Sequence, residues 1–157
     1  MALVQNRDHY HEMIQKTIDE CSYKFYQIIP DLNFKCTCVH HPTKQADPEC
    51  PKCLGTGHRI TIKMIYGAAN DEMKGSTSLG LESSRIIKEY FVSKRFEIHP
   101  DDMFIDNDDV YYVFRIEKLR GLKGAHTHNE VTCVKRTNDS KKALANFNKI
   151  IAKHKKK

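Results

Sequence analysis

The chain has 157 residues, a length that suits one hydrophobic core with at most a small satellite unit. Hydrophobic residues make up 39% of it and charged residues 29%, which excludes disorder throughout. No apolar run approaches the roughly 20 residues of a membrane helix, and the N-terminus lacks the apolar core of a signal peptide. We therefore expect no membrane association and a reducing cytosol, where clustered cysteines indicate metal ligands rather than disulfides.

The net charge of +6 is concentrated at the C-terminus. Residues 135–157 contain nine lysines and arginines and one acid, a net charge of +8, whereas residues 1–134 contain seventeen basic and nineteen acidic residues, a net charge of −2. The basicity is therefore a property of the tail. A compact nucleic-acid-binding domain would more often carry its positive charge as a stripe on the folded surface.

The first predicted element is a helix over residues 6–29, within an N-terminal helical unit of residues 1–30. Its apolar residues recur at steps of three and four, and Asn6 or Asp8 can cap its start. Pro30 is expected to end the helix, because the residue before a proline avoids the α conformation.

A zinc knuckle is predicted next, over residues 31–58. Two close cysteine pairs are joined by an eleven-residue loop, a spacing that lets two thiolate clamps close on one tetrahedral ion. Gly55 and Gly57 permit positive-φ turns that aim backbone N–H groups at sulfur. Four thiolates leave no open coordination position, so the zinc is expected to be structural. The predicted ligands are Cys36, Cys38, Cys50 and Cys53.

Short strands at regular spacing predict a small antiparallel β-barrel or sandwich over residues 59–136. A long loop, 67–83, is rich in Gly, Ser and Asn and is expected to be functional or mobile. A hairpin is expected to turn on 106–109, because Asn and Asp tolerate the left-handed conformation. In its second strand, one face should carry Tyr111, Val113 and Arg115, and the other Tyr112, Phe114 and Ile116. The predicted strands cover 59–66, 84–93, 103–105, 110–119 and 129–136.

The C-terminal unit, residues 137–157, is predicted to form a basic amphipathic helix over 140–154. Its lysines are either a solvated helix end favoured by the helix dipole or sequence-independent contacts to nucleic-acid phosphates. The complete prediction is an α+β, mainly β fold with a zinc knuckle and a helix at each end. The lysines assigned to phosphate contact are Lys153, Lys155, Lys156 and Lys157.

The other polar residues are interpreted as surface groups. His40 and His41 could replace a thiolate but are not needed, and the acids between Asp101 and Asp109 lack the alternation and the glycine of a calcium loop. His126 and His128 suggest a zinc nuclease, but such a site needs a following helix, and the sequence after Glu130 predicts a strand. The isolated Cys21 and Cys133 are expected to be small buried hydrophobes.

Two families carry related motifs. The run Cys50-Pro-Lys-Cys-Leu-Gly-Thr-Gly57 resembles one repeat of the DnaJ-type zinc domain, a likeness of knuckle geometry rather than kinship. Residues 34–136 resemble the neck proteins of tailed bacteriophages, the head-closure or head-completion class. The likeness consists of a Cys-x-Cys…Cys-Pro-x-Cys-x-Gly-x-Gly knuckle before a barrel, and of the hairpin from His99 to Phe114.

The second resemblance implies a non-enzymatic structural protein of the virion, present in the host cytoplasm during assembly. It would form a ring with copies of itself, join portal or connector proteins to tail proteins, and help to retain or pass packaged DNA, with loop 67–83 as a possible gate. Two alternatives stay open: a zinc-knuckle protein that binds nucleic acid, and a zinc-containing nuclease.

Overall fold

A computed structural model describes residues 2–39, 42–74, 85–120, 126–137 and 140–156. The fold is mainly β, with antiparallel strands and one helix near each end, as predicted. The elements, in chain order, are α1 Ala2–Cys21, β1 Tyr23–Lys35, β2 His58–Ala69, β3 Met73–Lys74, β4 Ile86–Ser93, β5 Met103–Asp106, β6 Asp109–Arg120, β7 His126–Lys135 and α2 Ser140–Lys155.

The strands form one sheet that curls back on itself. Their order is β2-β1-β5-β6-β7-β4-β3, and β2 also pairs with β4, so six strands make a barrel-like ring of antiparallel ladders. Gly67 lies at this closure, paired with Val92, and a Cβ at Gly67 would lie 2.8 Å from the carbonyl oxygen of Phe91. The closure therefore depends on a residue without a side chain.

The predicted N-terminal helix is wrong beyond Cys21. Residues 23–35 form β1, which pairs with β2 along most of its length, so the barrel begins before the knuckle rather than at residue 59. β1 buries residues on both faces, and its apolar residues therefore recur at the three- and four-residue spacing that is typical of a helix. Pro30 lies within the strand, beyond Ile28, where the pairing with β5 stops; at such an edge a missing N–H is tolerated.

Inside the ring lies a cluster rich in aromatic residues, here called the interior core. The ring of Phe25 lies 4.9 Å from that of Tyr90 and 5.0 Å from that of Phe104, centroid to centroid, and Tyr90 meets Tyr111 edge-on at 5.9 Å. These contacts join strands that are far apart in sequence. The interior core consists of Phe25, Ile65, Tyr90, Val92, Ile98, Phe104, Tyr111, Val113, Val131 and Cys133.

The opposite face of the same strands carries a second cluster, here called the outer core. α2 lies across it, and the ring of Phe147 packs edge-on against Tyr26 at 5.0 Å. Leu54, from the cysteine-rich segment, is buried in the same cluster. The outer core therefore joins the sheet, the C-terminal helix and that segment, and its fully buried members are Ile28, Leu54, Met103, Ile105, Val110 and Phe147.

β6 changes faces halfway along. Tyr111 and Val113 point into the ring and Tyr112 and Phe114 outward, as predicted, but Arg115 is exposed and Ile116 packs against the interior core. The cause is a bulge: Val113 pairs with Cys133, and Arg115 pairs with the very next residue of β7, Thr132. One extra residue in β6 therefore reverses the alternation beyond it.

The remaining boundaries differ by a few residues. β2 continues to Ala69, which shortens the predicted loop 67–83, and residues 75–83 of that loop lie outside the described residues. β7 begins at His126 rather than at residue 129, and α2 covers the predicted C-terminal helix. The hairpin turns as expected, with Asn107 at φ 54° between β5 and β6.

Candidate metal centre

The cysteine-rich segment, residues 36–57, connects β1 to β2 and is called the knuckle below. At its base the N–H of Cys36 donates to the carbonyl oxygen of Gly57 at 2.8 Å. Its second half folds into a tight turn, in which the N–H of Leu54 donates to the oxygen of Cys50 and that of Thr56 to the oxygen of Cys53, both at 3.0 Å. These local bonds place the two cysteine pairs facing each other.

The four predicted ligands come together. The Sγ atoms of Cys36, Cys38, Cys50 and Cys53 all lie within 4.8 Å of one another. Cys36 and Cys50 are 3.7 Å apart at sulfur, and Cys38 and Cys53 are 3.5 Å apart. A disulfide would need about 2.05 Å, whereas four sulfurs at about 2.3 Å from one tetrahedral ion lie roughly 3.8 Å apart. The cluster therefore fits a bound metal ion.

Backbone N–H groups surround the sulfurs, as the two glycines predicted. The N–H groups of Gly55 and Gly57 point at the Cys53 sulfur, that of Cys38 at Cys36, and that of Asp47 at Cys38. Gly55 has φ 86° and Gly57 φ 77°, and a Cβ on Gly57 would lie only 3.0 Å from the Ala46 Cβ. Such bonds orient thiolate ligands and stabilise their negative charge.

Burial and hydrogen bonding set the acidity of these thiols. Burial raises the pKa of Cys53 to about 12 and also raises that of Cys38. Burial alone would raise the pKa of Cys36 too, but the Cys38 N–H and the neighbouring thiols outweigh it and lower that pKa to about 7. A bound cation would favour the thiolate form at every position. Chemically, the cluster could bind a soft divalent cation with all four positions filled by protein.

Arg136 docks the knuckle on the barrel, a role that sequence reasoning missed. Its guanidinium donates to the carbonyl oxygens of Leu54 at 3.0 Å and Pro48 at 3.1 Å, and the residue is only 7% exposed. From α2, Lys142 pairs with the side chain of Glu49 and the Asn146 amide donates to the Glu49 carbonyl oxygen at 3.1 Å. The one sequence cue was a basic residue at the end of a predicted strand.

The interior of the ring contains a charged pair that was also missed. Asp106, interpreted from sequence as a solvated turn acid, is 3% exposed and lies 2.8 Å from the ammonium of Lys88. Tyr23 and Tyr90 donate to the same carboxylate oxygen at 2.6 and 2.8 Å. Burial alone would raise the pKa of Asp106, but these three donors outweigh it and lower the pKa below its ordinary value.

Asp102 is a second buried acid that the sequence misassigned to solvent. Its carboxylate accepts from the side chain of Gln27 at 2.6 Å and from the N–H of His99 at 2.9 Å. Burial raises its pKa, against these bonds. Asp102 therefore fixes the chain just before β5, and the prediction of turn acids is wrong for it and for Asp106.

The other predicted residues are scattered. Cys133 is buried as expected, but Cys21 is exposed at the end of α1, because the helix ends there. His128 is 2% exposed within β7. The lysines assigned to phosphate contact lie at the exposed end of α2, except that Lys157 is outside the described residues; the others are Lys153, Lys155 and Lys156.

Comparison with known proteins adds no relative. A scan against protein-family models matches no family, and a search of curated proteins finds no match. Among the described residues, neither helix is both long and apolar enough to cross a membrane. What the chain does is therefore inferred from the cysteine cluster, the sheet and their surfaces.

Proposed function

We propose that this chain is a structural protein of a tailed-phage virion neck, a ring subunit that joins portal or head to tail. In this proposal the four cysteines bind a structural zinc ion, and the chain performs no catalysis. The observation that carries it is the four-thiol cluster between two barrel strands, docked both on the barrel and on α2. The motif resemblance of residues 34–136 supplies the biological setting.

A structural role for the metal is supported by the ligand set. Four cysteine sulfurs fill a tetrahedral shell, whereas a catalytic zinc keeps one position for water or substrate. Cys50 and Cys53 are buried, and Leu54 beside them belongs to the outer core. The ion would therefore tie the knuckle and α2 to the sheet, making one rigid block of the kind that a ring subunit requires.

The test has two arms, one for the metal and one for the location. Purified protein should contain one zinc per chain by mass spectrometry under native conditions, and the zinc should be lost in the Cys50→Ser/Cys53→Ser variant. Electron microscopy of intact particles carrying a tagged copy should place the tag between head and tail. A fully folded protein without metal would remove the first part of the proposal, and a tag away from the neck would remove the second.

A second candidate, nucleic-acid binding, is favoured by the surface of α2. α2 and the residue that follows it, residues 140–156, contain six lysines and no acid. Five of these lysines fall within an arc of about 120° opposite the buried Ala143 and Phe147, given 3.6 residues per turn. The five are Lys141, Lys142, Lys149, Lys153 and Lys156.

Binding of duplex DNA by the isolated protein separates this candidate from a purely mechanical role. Replacing Lys149, Lys153 and Lys156 with Gln should weaken binding and lower the salt slope by roughly 0.9 for each phosphate that is no longer neutralised. The matched control replaces exposed barrel lysines, Lys63 and Lys118, and should leave both the affinity and the salt slope unchanged. The nuclease alternative is not favoured, because the side chain of His128 is buried in β7.

A further inference from the structure

An exposed apolar projection stands where β1 meets the knuckle. The β1–β2 register jumps between Asp31 and Lys35, so that the residues between them bulge out of the ladder. Leu32 is 59% exposed and Phe34 53% exposed. The bulge, residues 32–34, is called the knob below.

An apolar groove lies at the other end of the same two strands. It has a volume of about 450 Å³ and runs between α1 and the sheet. Met13 and Ile18 line it from the helix, and Ala68 and Phe91 line it from β2 and β4. Met13 is 54% exposed, so the groove is open to a partner.

The knob cannot enter the groove of its own chain. Tyr23 pairs with Gly67 at the groove end, and Asp31 pairs with Arg59 at the knob end. Eight residue steps of extended strand separate these pairs, about 27 Å. Two unlike surfaces at opposite ends of one rigid ribbon suit a head-to-tail contact between copies, the kind of contact that builds rings.

The charges around the two surfaces are complementary. Beside the knob, the Arg59 guanidinium lies 4.4 Å from the centroid of the Phe34 ring and 3.4 Å from the Asp31 carboxylate, and the exposed Lys35 leaves a net positive charge there. Beside the groove, Glu89 accepts from the Asn70 amide at 3.3 Å, and Glu130 lies directly across the ladder from Phe91.

Carboxylates repel one another on this side of the sheet. Burial raises the pKa of Glu130, and the charges of Glu89 and Glu117 raise it further, against the smaller lowering effect of Arg115. A cationic partner would relieve that repulsion.

We propose that the groove receives the knob of a second copy of this chain, with Leu32 and Phe34 against Met13 and Phe91 and with Arg59 facing the carboxylates of Glu89 and Glu130. This inference deepens the proposed ring assembly and rests on it.

Sedimentation velocity of the metal-loaded full chain over a wide concentration range tests the contact. The wild-type mass should rise with concentration. The knob variant, Leu32→Asp/Phe34→Asp, and the groove variant, Met13→Lys, should each associate roughly tenfold or more weakly, because an apolar anchor is lost and a like charge is introduced. An equimolar mixture of the two should form a one-to-one dimer and stop there, since one intact knob meets one intact groove. Phe114→Asp, at an exposed aromatic residue of β6, should behave as wild type.

Circular dichroism and metal content establish that each variant is folded. A wild-type chain that stays monomeric at every concentration overturns the inference. Equal association of all variants also overturns it, and would mean that the groove binds a small apolar molecule or no ligand. Loss of association in the groove variant alone would indicate groove-to-groove pairing and would also overturn it. The position of the protein in the particle is measured separately by microscopy, so the neck proposal can survive or fail independently.

Discussion

The interior core and the outer core use the two faces of the same strands, but they are stabilised differently. The interior core is enclosed by a closed ring of antiparallel strands and is filled with aromatic side chains from four of them. The outer core is covered by α2 and the knuckle, which are attached by side-chain contacts and, in our proposal, by a metal ion. The two cores are therefore expected to differ in their free energies of local unfolding.

Metal removal should have the largest effect on stability, and it should affect the outer core but not the interior core. Without the ion the knuckle loses its cross-link, which in small domains contributes on the order of 10 kcal/mol of binding free energy. We expect chelation, or the Cys53→Ser variant, to abolish hydrogen-exchange protection in residues 36–57 and in α2, while β4 and β7 stay protected.

Cys21→Ser is the matched control for this experiment, since Cys21 is exposed and outside the cluster. Its exchange pattern should equal that of the wild type. Simultaneous loss of protection in both cores after chelation would contradict the expected difference between them and would show that the molecule unfolds as one cooperative unit.

The Asp106→Asn variant should damage the interior core instead. It leaves the largely buried Lys88 ammonium without its counter-charge, a change that costs about 3–5 kcal/mol for buried pairs. Denaturant unfolding should report this loss, whereas Asp108→Asn, at an exposed position of the same turn, should change the free energy of unfolding by less than about 0.5 kcal/mol. A small effect at both positions would show that the pair contributes little.

Acid should act on the same residue. The pKa of Asp106 is lowered in the folded state, so its stabilisation is fully present above the ordinary value of 3.8 and is lost as the pH falls from there toward the folded-state pKa. Below about pH 4 the wild type should therefore lose stability faster than Asp106→Asn. The difference between the two curves cancels the other carboxyls, including Asp102, whose raised pKa acts in the opposite direction. Parallel curves would contradict the assignment.

Arg136→Met should loosen the outer core alone, by about 1–3 kcal/mol, because two buried carbonyl oxygens lose their donor. Hydrogen exchange of the knuckle should accelerate while that of β4 stays unchanged. Arg85→Met, at an exposed position before β4, is the control and should have no effect. Equal acceleration in both cores would mean that Arg136 supports the barrel as a whole.

Gly57→Ala should have the smallest effect, about 1 kcal/mol, since its φ of 77° and the nearby Ala46 Cβ strain any side chain. Competition with a chelator should show weaker metal binding. Gly67→Ala is the matching change at the barrel closure and should lower barrel stability without changing metal affinity. The opposite pattern would reverse the roles assigned to the two glycines.

Local patterns in the sequence predicted local structure well. The four thiols lie within eighteen residues, so their spacing alone indicated that they meet. The hairpin between β5 and β6 was likewise marked by its own turn residues, and α2 by its apolar face. In each case the partners are neighbours in the chain.

Features that depend on distant partners were missed. β1 was taken for a helix because both of its faces are buried, a property that only the rest of the sheet confers. Asp106 and Arg136 find their partners 18 and 82 residues away, at Lys88 and Leu54. The bulge in β6 is visible only in its register with β7. No pattern within one segment contains that information.

The location of the knuckle has a consequence for how the chain is made. The strands that flank the knuckle pair with each other, so a nascent chain that has emerged as far as Gly67 already contains every ligand and both sides of the ribbon. β4 and β7, which complete the ring, are synthesised later. Capture of an ion by the four thiols can therefore precede closure of the sheet, and scarcity of that ion would act on the hairpin of β1 and β2 before the sheet closes.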